Sequence, residues 1–418
     1  MGKEKKVGVF FGIPFPVWVI GFLITGFGLG YLYPKSLILK AIYESGSYFP
    51  KTVVTFSALL IFILLSAAMA KLVLFHREKA GKLFGLIFVI YFAMGLVSLI
   101  YVSVLIPLLT NLPINQAGHS LPSPLAWLKL VGNTFSKVMT QQPLLQALVG
   151  SMIIGYLSGY LKVLRPLAHG FIKAGDLVLL GFKKLLWYYP IMIGCLAIGI
   201  PLKFGVKGVA MYGATVLWVA FGSLTWSVFM IILAKVATKR TFKQIFSYFG
   251  SVWPTGFGTG GSYDTLAVNL ISAETDLGLK PEIAEVSIVF GTVLNKNVTT
   301  MAVLFVTITV CAMLKIPLSL TEILVLIPPV LILGLESPGI PGGAGFFMSP
   351  IIGVLLVAPD MQIFVTTFVT VYSGLIPMFA TAGNTTSDGM VGALLQDRFS
   401  HYLGMDSKIS KKGDGIGA

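Results

Sequence analysis

The chain has 418 residues, of which 56% are hydrophobic and only 11% charged, with a formal net charge of +14. Its mean hydropathy is +0.89. Soluble domains carry about a quarter charged residues, so the composition excludes a soluble globular fold and reads as a polytopic membrane protein. The positive excess does not imply nucleic acid, because Lys and Arg of membrane proteins accumulate in cytoplasmic loops. Cys195 and Cys311 both lie inside apolar runs and read as packing residues rather than a disulfide or a metal pair.

A spanning helix needs about 20 mostly apolar residues. The basic start, Met1 to Lys6, leads into a first candidate at residues 8–33, read as a retained helix that Pro34 stops. Further candidates cover 52–75, 83–110 and 143–161, with a loosely apolar piece at 124–139. A long helix is expected over 172–202, ending near Pro201, and a sixth span over 207–234. Three basic clusters follow alternate spans: His76 to Lys82, Lys162 to Lys173, and Lys235 to Lys243. They place the N-terminus in the cytoplasm, although Lys35, Lys40, Lys51, Lys203 and Lys207 then fall outside.

After residue 243 the pattern changes. Residues 244–276 are two apolar halves around a Gly/Ser/Asp centre, each too short to span, which predicts a re-entrant hairpin. A span follows at 282–313. Residues 318–357 repeat the hairpin shape around Pro and Gly, and a last span covers about 361–397. The tail, 403–418, is expected to be disordered and cytoplasmic. Interrupted apolar segments that come in a pair point to a transporter site near the bilayer midplane.

The polar residues inside these segments are the candidate chemistry. Asn295-Lys296-Asn297, followed by Thr299, lies deep in the 282–313 span, where a charge is costly unless it lines a wet cavity or finds a partner. Gly291 is expected to loosen the backbone there and expose carbonyls. Asn384 and Asp388 are four apart on one helix face. With Asn295 they supply the oxygens and the carboxylate that a desolvated cation requires. Lys296 has three readings: a tethered cation, an anchor for a substrate carboxylate, or a structural partner of Asp264, Glu336 or Asp388. A mobile cation about 4 Å from that ammonium is repelled by about 4 kcal/mol at an effective dielectric of about 20. The Gly-rich run from Gly256 to Gly261 lacks the Gly-Lys-Ser/Thr ending of a phosphate loop. It reads instead either as a tip presenting the Ser262 hydroxyl and backbone amides to a carboxylate or as close helix packing through small residues. Ser262 and Asp264 have no nearby His, which argues against an intramembrane hydrolase. His76, His119, His169 and His401 receive no ligand role.

In order and spacing, four motifs resemble the dicarboxylate/amino-acid:cation symporter family, which includes the glutamate-transporter homologues. They are Gly260-Gly261-Ser262-Tyr263-Asp264, Asn295 to Thr299, Gly339-Ile340-Pro341-Gly342, and the pair Asn384 and Asp388. The resemblance covers roughly residues 240–402, and the first half only in helix count. It implies an all-α elevator-type fold of eight transmembrane helices plus two re-entrant hairpins. Residues 1–240 are then mainly scaffold, with the third and sixth helices partly in the transport domain, and 241–402 form the transport core.

The resemblance also implies a substrate site at Ser262, Tyr263, Thr299, Gly339, Ile340, Pro341, Thr381, Asn384, Thr385 and Asp388. Cation ligands are expected at Gly291, Asn295, Asn297, Ser337, Asn384 and Asp388, with Lys296, Asp264 and Glu336 as coupling charges. Departures are specific: Asn297 replaces the family's sodium-ligating Asp, Lys296 its Met, Ala380 an Arg that grips a side-chain carboxylate, and Pro377 falls near the Asp that grips an amino group.

The expected function is cation-coupled symport of a small organic anion, a dicarboxylate or an amino acid, by an elevator mechanism. The coupling ion is Na+ or H+, no cofactor is expected, and the protein is not read as an enzyme. The alternative is an ion channel or anion-conducting pore on the same broken helices. Partners are the substrate and membrane lipid, with no nucleic acid. A homotrimer in the inner or plasma membrane, both termini cytoplasmic, completes the expectation.

Overall fold

The structure, a computed structural model, describes residues 9–10, 13–75, 80–112, 129, 143–185, 188–334, 337 and 342–399. The piece at 124–139 and the tail therefore lie outside the described residues, apart from residue 129. The described elements are all helices except for a pair of two-residue strands, Val9–Phe10 against Ile13–Pro14. The first helices are α1 (Phe15–Leu32), α2 (Leu37–Thr55), α3 (Ser57–Phe75), α4 (Ala80–Thr110), α5 (Pro143–Tyr160), α6 (Arg165–Leu185) and α7 (Tyr189–Ala237). The remainder are α8 (Phe242–Thr259), α9 (Ser262–Thr275), α10 (Pro281–Leu294), α11 (Asn297–Leu314), α12 (Leu320–Gly334), α13 (Gly343–Leu355), α14 (Met361–Tyr372) and α15 (Leu375–Arg398).

Among the described residues, Gly85–Thr110, Pro190–Ala237 and Ser287–Leu314 are long and apolar enough to cross a membrane. The pair α14 and α15, bent by 65°, makes a fourth candidate. Three expectations are corrected. Residues 37–51 are helical, because Leu39, Tyr43 and Gly46 recur on one buried face; a search for 20 apolar residues passes over such an amphipathic stretch. The helix expected over 172–202 is two: α6 ends at Leu185, and α7 continues past Pro201 to a kink at Gly205, just before the sixth span expected from 207. The last span is also two, because Gly374 adopts φ 87° between α14 and α15.

At 49 residues, α7 would be about 70 Å long if straight, over twice the hydrocarbon thickness of a bilayer. It kinks at Gly205, where φ is 63° and ψ −159°, a region essentially reserved for Gly. Nothing lies within 4 Å of where a Cβ would stand, so the constraint is purely on the backbone. Gly205→Ala is expected to destabilise the protein by about 1–3 kcal/mol, read as a lower midpoint of thermal unfolding in detergent; an unchanged midpoint refutes this.

Two caps fix the entries to the second half. Thr241 and Gln244 form a capping box at the start of α8, and the Asp360 side chain accepts from the Ile363 amide at the start of α14. The far ends of α7 and α15 are clasped together. Asp397 accepts from the Lys239 amide at 2.7 Å and pairs with Arg240 at 3.6 Å, while Arg398 Nε donates to the Ala237 carbonyl at 2.8 Å. At the centre stands α11, buried from Asn297 through Cys311, with α4, α7, α12, α14 and α15 against it. α8 and α9 form one hairpin and α12 and α13 another.

Candidate functional site

Five helix ends meet in the second half. Gly260, in a left-handed conformation with φ 63°, closes α8, and α9 begins at Ser262. α10 stops at Leu294 and α11 restarts at Asn297, leaving Asn295 and Lys296 outside the helical path. α13 begins at Gly343 behind Gly342, which has φ 74°. These ends enclose a pocket with about 20 Å³ of free space, room for about one water-sized group. Gly260, Ser262, Lys296, Thr299 and Ser337 line it on one side, with Gly342, Gly343 and Ala344. Tyr372, Pro377, Thr381 and Asn384 complete the wall.

Of the expected substrate residues, the structure thus brings Ser262, Thr299, Thr381 and Asn384 to one cavity, together with Ser337 and Lys296. Thr381 Oγ1 donates to the Gly260 carbonyl at 2.9 Å, tying α15 to the first tip. Asn384 spans the helix break: its Oδ1 accepts from the Val298 amide at 2.8 Å, and its Nδ2 donates to Thr299 Oγ1 at 2.7 Å. Tyr263, Asp264, Thr385 and Asp388 do not line this cavity. Thr385 is turned toward α8, where its Oγ1 would lie 2.7 Å from a Cβ at Gly256. Gly339, Ile340, Pro341 and Glu336 lie outside the described residues.

Behind the cavity sits a second polar layer around Asp388, which is 1% exposed. Its carboxylate accepts from Asn295 Nδ2 at 2.6 Å, and at 3.4 Å from Asn269 Nδ2 and from the Tyr91 hydroxyl. Asn295 Nδ2 also donates to the Asn384 carbonyl at 2.7 Å and to Ser387 Oγ at 2.8 Å. Three oxygens therefore converge on one nitrogen, while Asn295 Oδ1 is buried with no donor. Asn297 faces α4: its carbonyl accepts from Ser98 Oγ at 3.3 Å, and its Nδ2 is buried without an acceptor. The pairing expected as one reading of Lys296 and Asp388 is absent, because no ion pair joins them within 4.0 Å. Instead, Lys296 Nζ donates to the Thr292 carbonyl at 2.7 Å.

Gly291 needs a correction. The helix does not loosen there; the Gly291 carbonyl accepts from the Asn295 amide at 2.9 Å in an ordinary helical bond. What requires Gly is space. A Cβ would stand 2.2 Å from Asp388 Oδ1 and 2.6 Å from the Tyr91 hydroxyl.

Sequence reasoning passed over Tyr91, Tyr248, Asn269 and Tyr372. Tyr248 donates to Asn269 Oδ1 at 2.5 Å and accepts from the Gly389 amide at 3.0 Å, buttressing the carboxylate layer. Tyr91 and Tyr372 sit in apolar runs and resemble packing residues in sequence. Asn269 carried a usable signal, being a carboxamide in a short helix seven residues after Ser262, on the same face.

A search of curated proteins finds none that matches the chain. The model of the sodium:dicarboxylate symporter family matches residues 15–398, which includes every helix around the pocket and most of the chain before it. With broken helices, a polar pocket at their ends and a match across nearly its whole length, the chain belongs to the sodium:dicarboxylate symporter family, a family of membrane transporters.

Proposed function

We propose that the protein is a secondary active transporter that couples a monovalent cation to the uptake of a small organic anion lacking an amino group. The observation that carries this is the polarity of the pocket. α9, α11 and α13 all begin at it, and helix N-termini attract anions. Lys296 is the one charged side chain among its described lining residues. No described carboxylate lines it to receive an ammonium, and Pro377 and Ala380 offer no charge on α15. A short dicarboxylate fits these features better than an amino acid.

The cation is drawn to the layer behind. Asp388 Oδ1, the Asn384 carbonyl and Ser387 Oγ already surround one point, now held by the Asn295 amide nitrogen. Turning that amide would add Oδ1, the buried acceptor without a donor, to the same cluster. Hard cations favour such oxygen sets.

On this reading the hairpins α8–α9 and α12–α13 are re-entrant, and the second, which brings Ser337 and Gly342 to the pocket, is the gate. The free volume of about 20 Å³ is too small for a dicarboxylate until that hairpin moves. The pocket helices travel as one body against a scaffold of the early helices, in an eight-span homotrimer of the cell membrane with cytoplasmic termini.

Proteoliposomes separate this from a channel. With an inward sodium or proton gradient, radiolabelled succinate is expected to accumulate above its outside concentration, and aspartate to accumulate far less. Equilibration alone, unaffected by collapsing the cation gradient with an ionophore, rejects coupled transport in favour of a pore.

A further inference from the structure

Lys296 lies between two half-helices, at the point where α10 has ended and α11 has not begun. In an unbroken helix the Thr292 carbonyl would accept the amide of residue 296. The break frees that carbonyl, and the ammonium of the same residue folds back onto it at 2.7 Å. The side chain is 4% exposed and makes no ion pair with Asp388. Its ammonium therefore sits against the negative end of α10. Released carbonyls at the C-terminal end of a broken half-helix are where transporters bind mobile coupling cations.

We infer that Lys296 is a built-in cation: its ammonium permanently fills one cation position at the end of α10, so the carrier binds one mobile cation fewer than it would with a neutral residue there. The inference deepens the symport reading and rests on it. A fixed charge in this position also repels a second ion from the carbonyls it covers, which leaves the Asp388 layer as the place for any mobile one. Asn297 fits the same economy of charge, since a carboxamide beside the break adds no negative charge for an extra cation to neutralise.

The test is a count of bound ²²Na⁺ per protomer by equilibrium dialysis of the purified full-length protein, with thermal unfolding in sodium and in choline chloride alongside. Lys296→Met and Lys296→Gln are each expected to bind one more sodium ion than the unmodified protein and to gain a sodium-dependent rise in unfolding midpoint. Lys296→Arg is expected to bind no more. A variant that folds only in sodium supports the inference, because the mobile ion then does the work of the tether. A variant that stays unfolded in sodium overturns it, as does a neutral variant with no added sodium or an Arg variant that gains one. If the unmodified protein binds sodium and the neutral variants bind the same number, the built-in cation falls and symport stands. If the unmodified protein binds none while the neutral variants bind one, the built-in cation stands and sodium coupling of the natural protein falls.

Discussion

Gly291→Ala is expected to abolish uptake and to destabilise the protein, although it adds only one methyl group. The new carbon would stand 2.2 Å from Asp388 Oδ1, 2.3 Å from its Cγ and 2.6 Å from the Tyr91 hydroxyl. None of these groups can swing aside freely. The carboxylate is held by Asn295 and Asn269, and the Tyr91 hydroxyl also donates to the Ser287 carbonyl at 2.9 Å. α10 must therefore move away from α15, breaking the contact that carries Asn295 into the layer. Overpacking of this kind costs about 1–3 kcal/mol, occasionally more. Because the two nearest clashes are with the Asp388 side chain, the penalty should shrink when that side chain is shortened, although the Tyr91 contact remains. In a double-mutant cycle on thermal unfolding, Gly291→Ala combined with Asp388→Ala is expected to cost less than the sum of the two. Strict additivity would show that the pressure lies elsewhere.

Asp388→Asn is expected to have the opposite balance, leaving the fold intact while weakening cation-driven uptake. Each donor to Asp388 has a second acceptor: Asn295 has the Asn384 carbonyl and Ser387, Asn269 has the Thr385 carbonyl, and Tyr91 has the Ser287 carbonyl. Withdrawing the negative charge therefore orphans little and relieves a buried group of its desolvation cost, so stability should hold or rise slightly. A carboxylate kept where the fold does not need it points to a role in transport. Contacts to a charged group are worth about 1.5–3 kcal/mol, so the variant's apparent cation affinity should fall roughly 10- to 100-fold. Uptake measured across a sodium titration decides the matter. An unchanged midpoint would place the cation elsewhere, and a collapse in thermal stability would make Asp388 structural.

Much of this architecture is readable in the sequence because it rests on interruptions. Gly260 before Ser262, Asn295 and Lys296 inside an apolar run, and Gly342 before Gly343 each mark a helix end that the structure confirms. Asn384 and Asp388 follow from helical spacing alone. What escaped has a common physical cause. Tyr91, Tyr248 and Tyr372 have apolar bodies with a single polar tip, so only the packing reveals whether the tip points into a core or a site. Gly291 looked like a weak point in a helix, whereas its value is the missing Cβ, which depends on α15 lying alongside. The division of 172–202 into two helices after Leu185, and the passage of α7 beyond Pro201 to its kink at Gly205, turn on local backbone choices that composition does not encode.

The clasp at Asp397 sets a limit on how the molecule can deform. It rivets the last turn of α7 to the last turn of α15, and its partners Asp397 and Arg240 are largely shielded, with 8% and 11% of their side chains exposed. Pulling those ends apart would strand both charges. Strain between the pocket and α1 and α2 must then be taken up along α7 itself, whose one non-helical residue is Gly205. On the transport mechanism proposed above, the hinge falls at the kink within α7, with a single glycine as its axle.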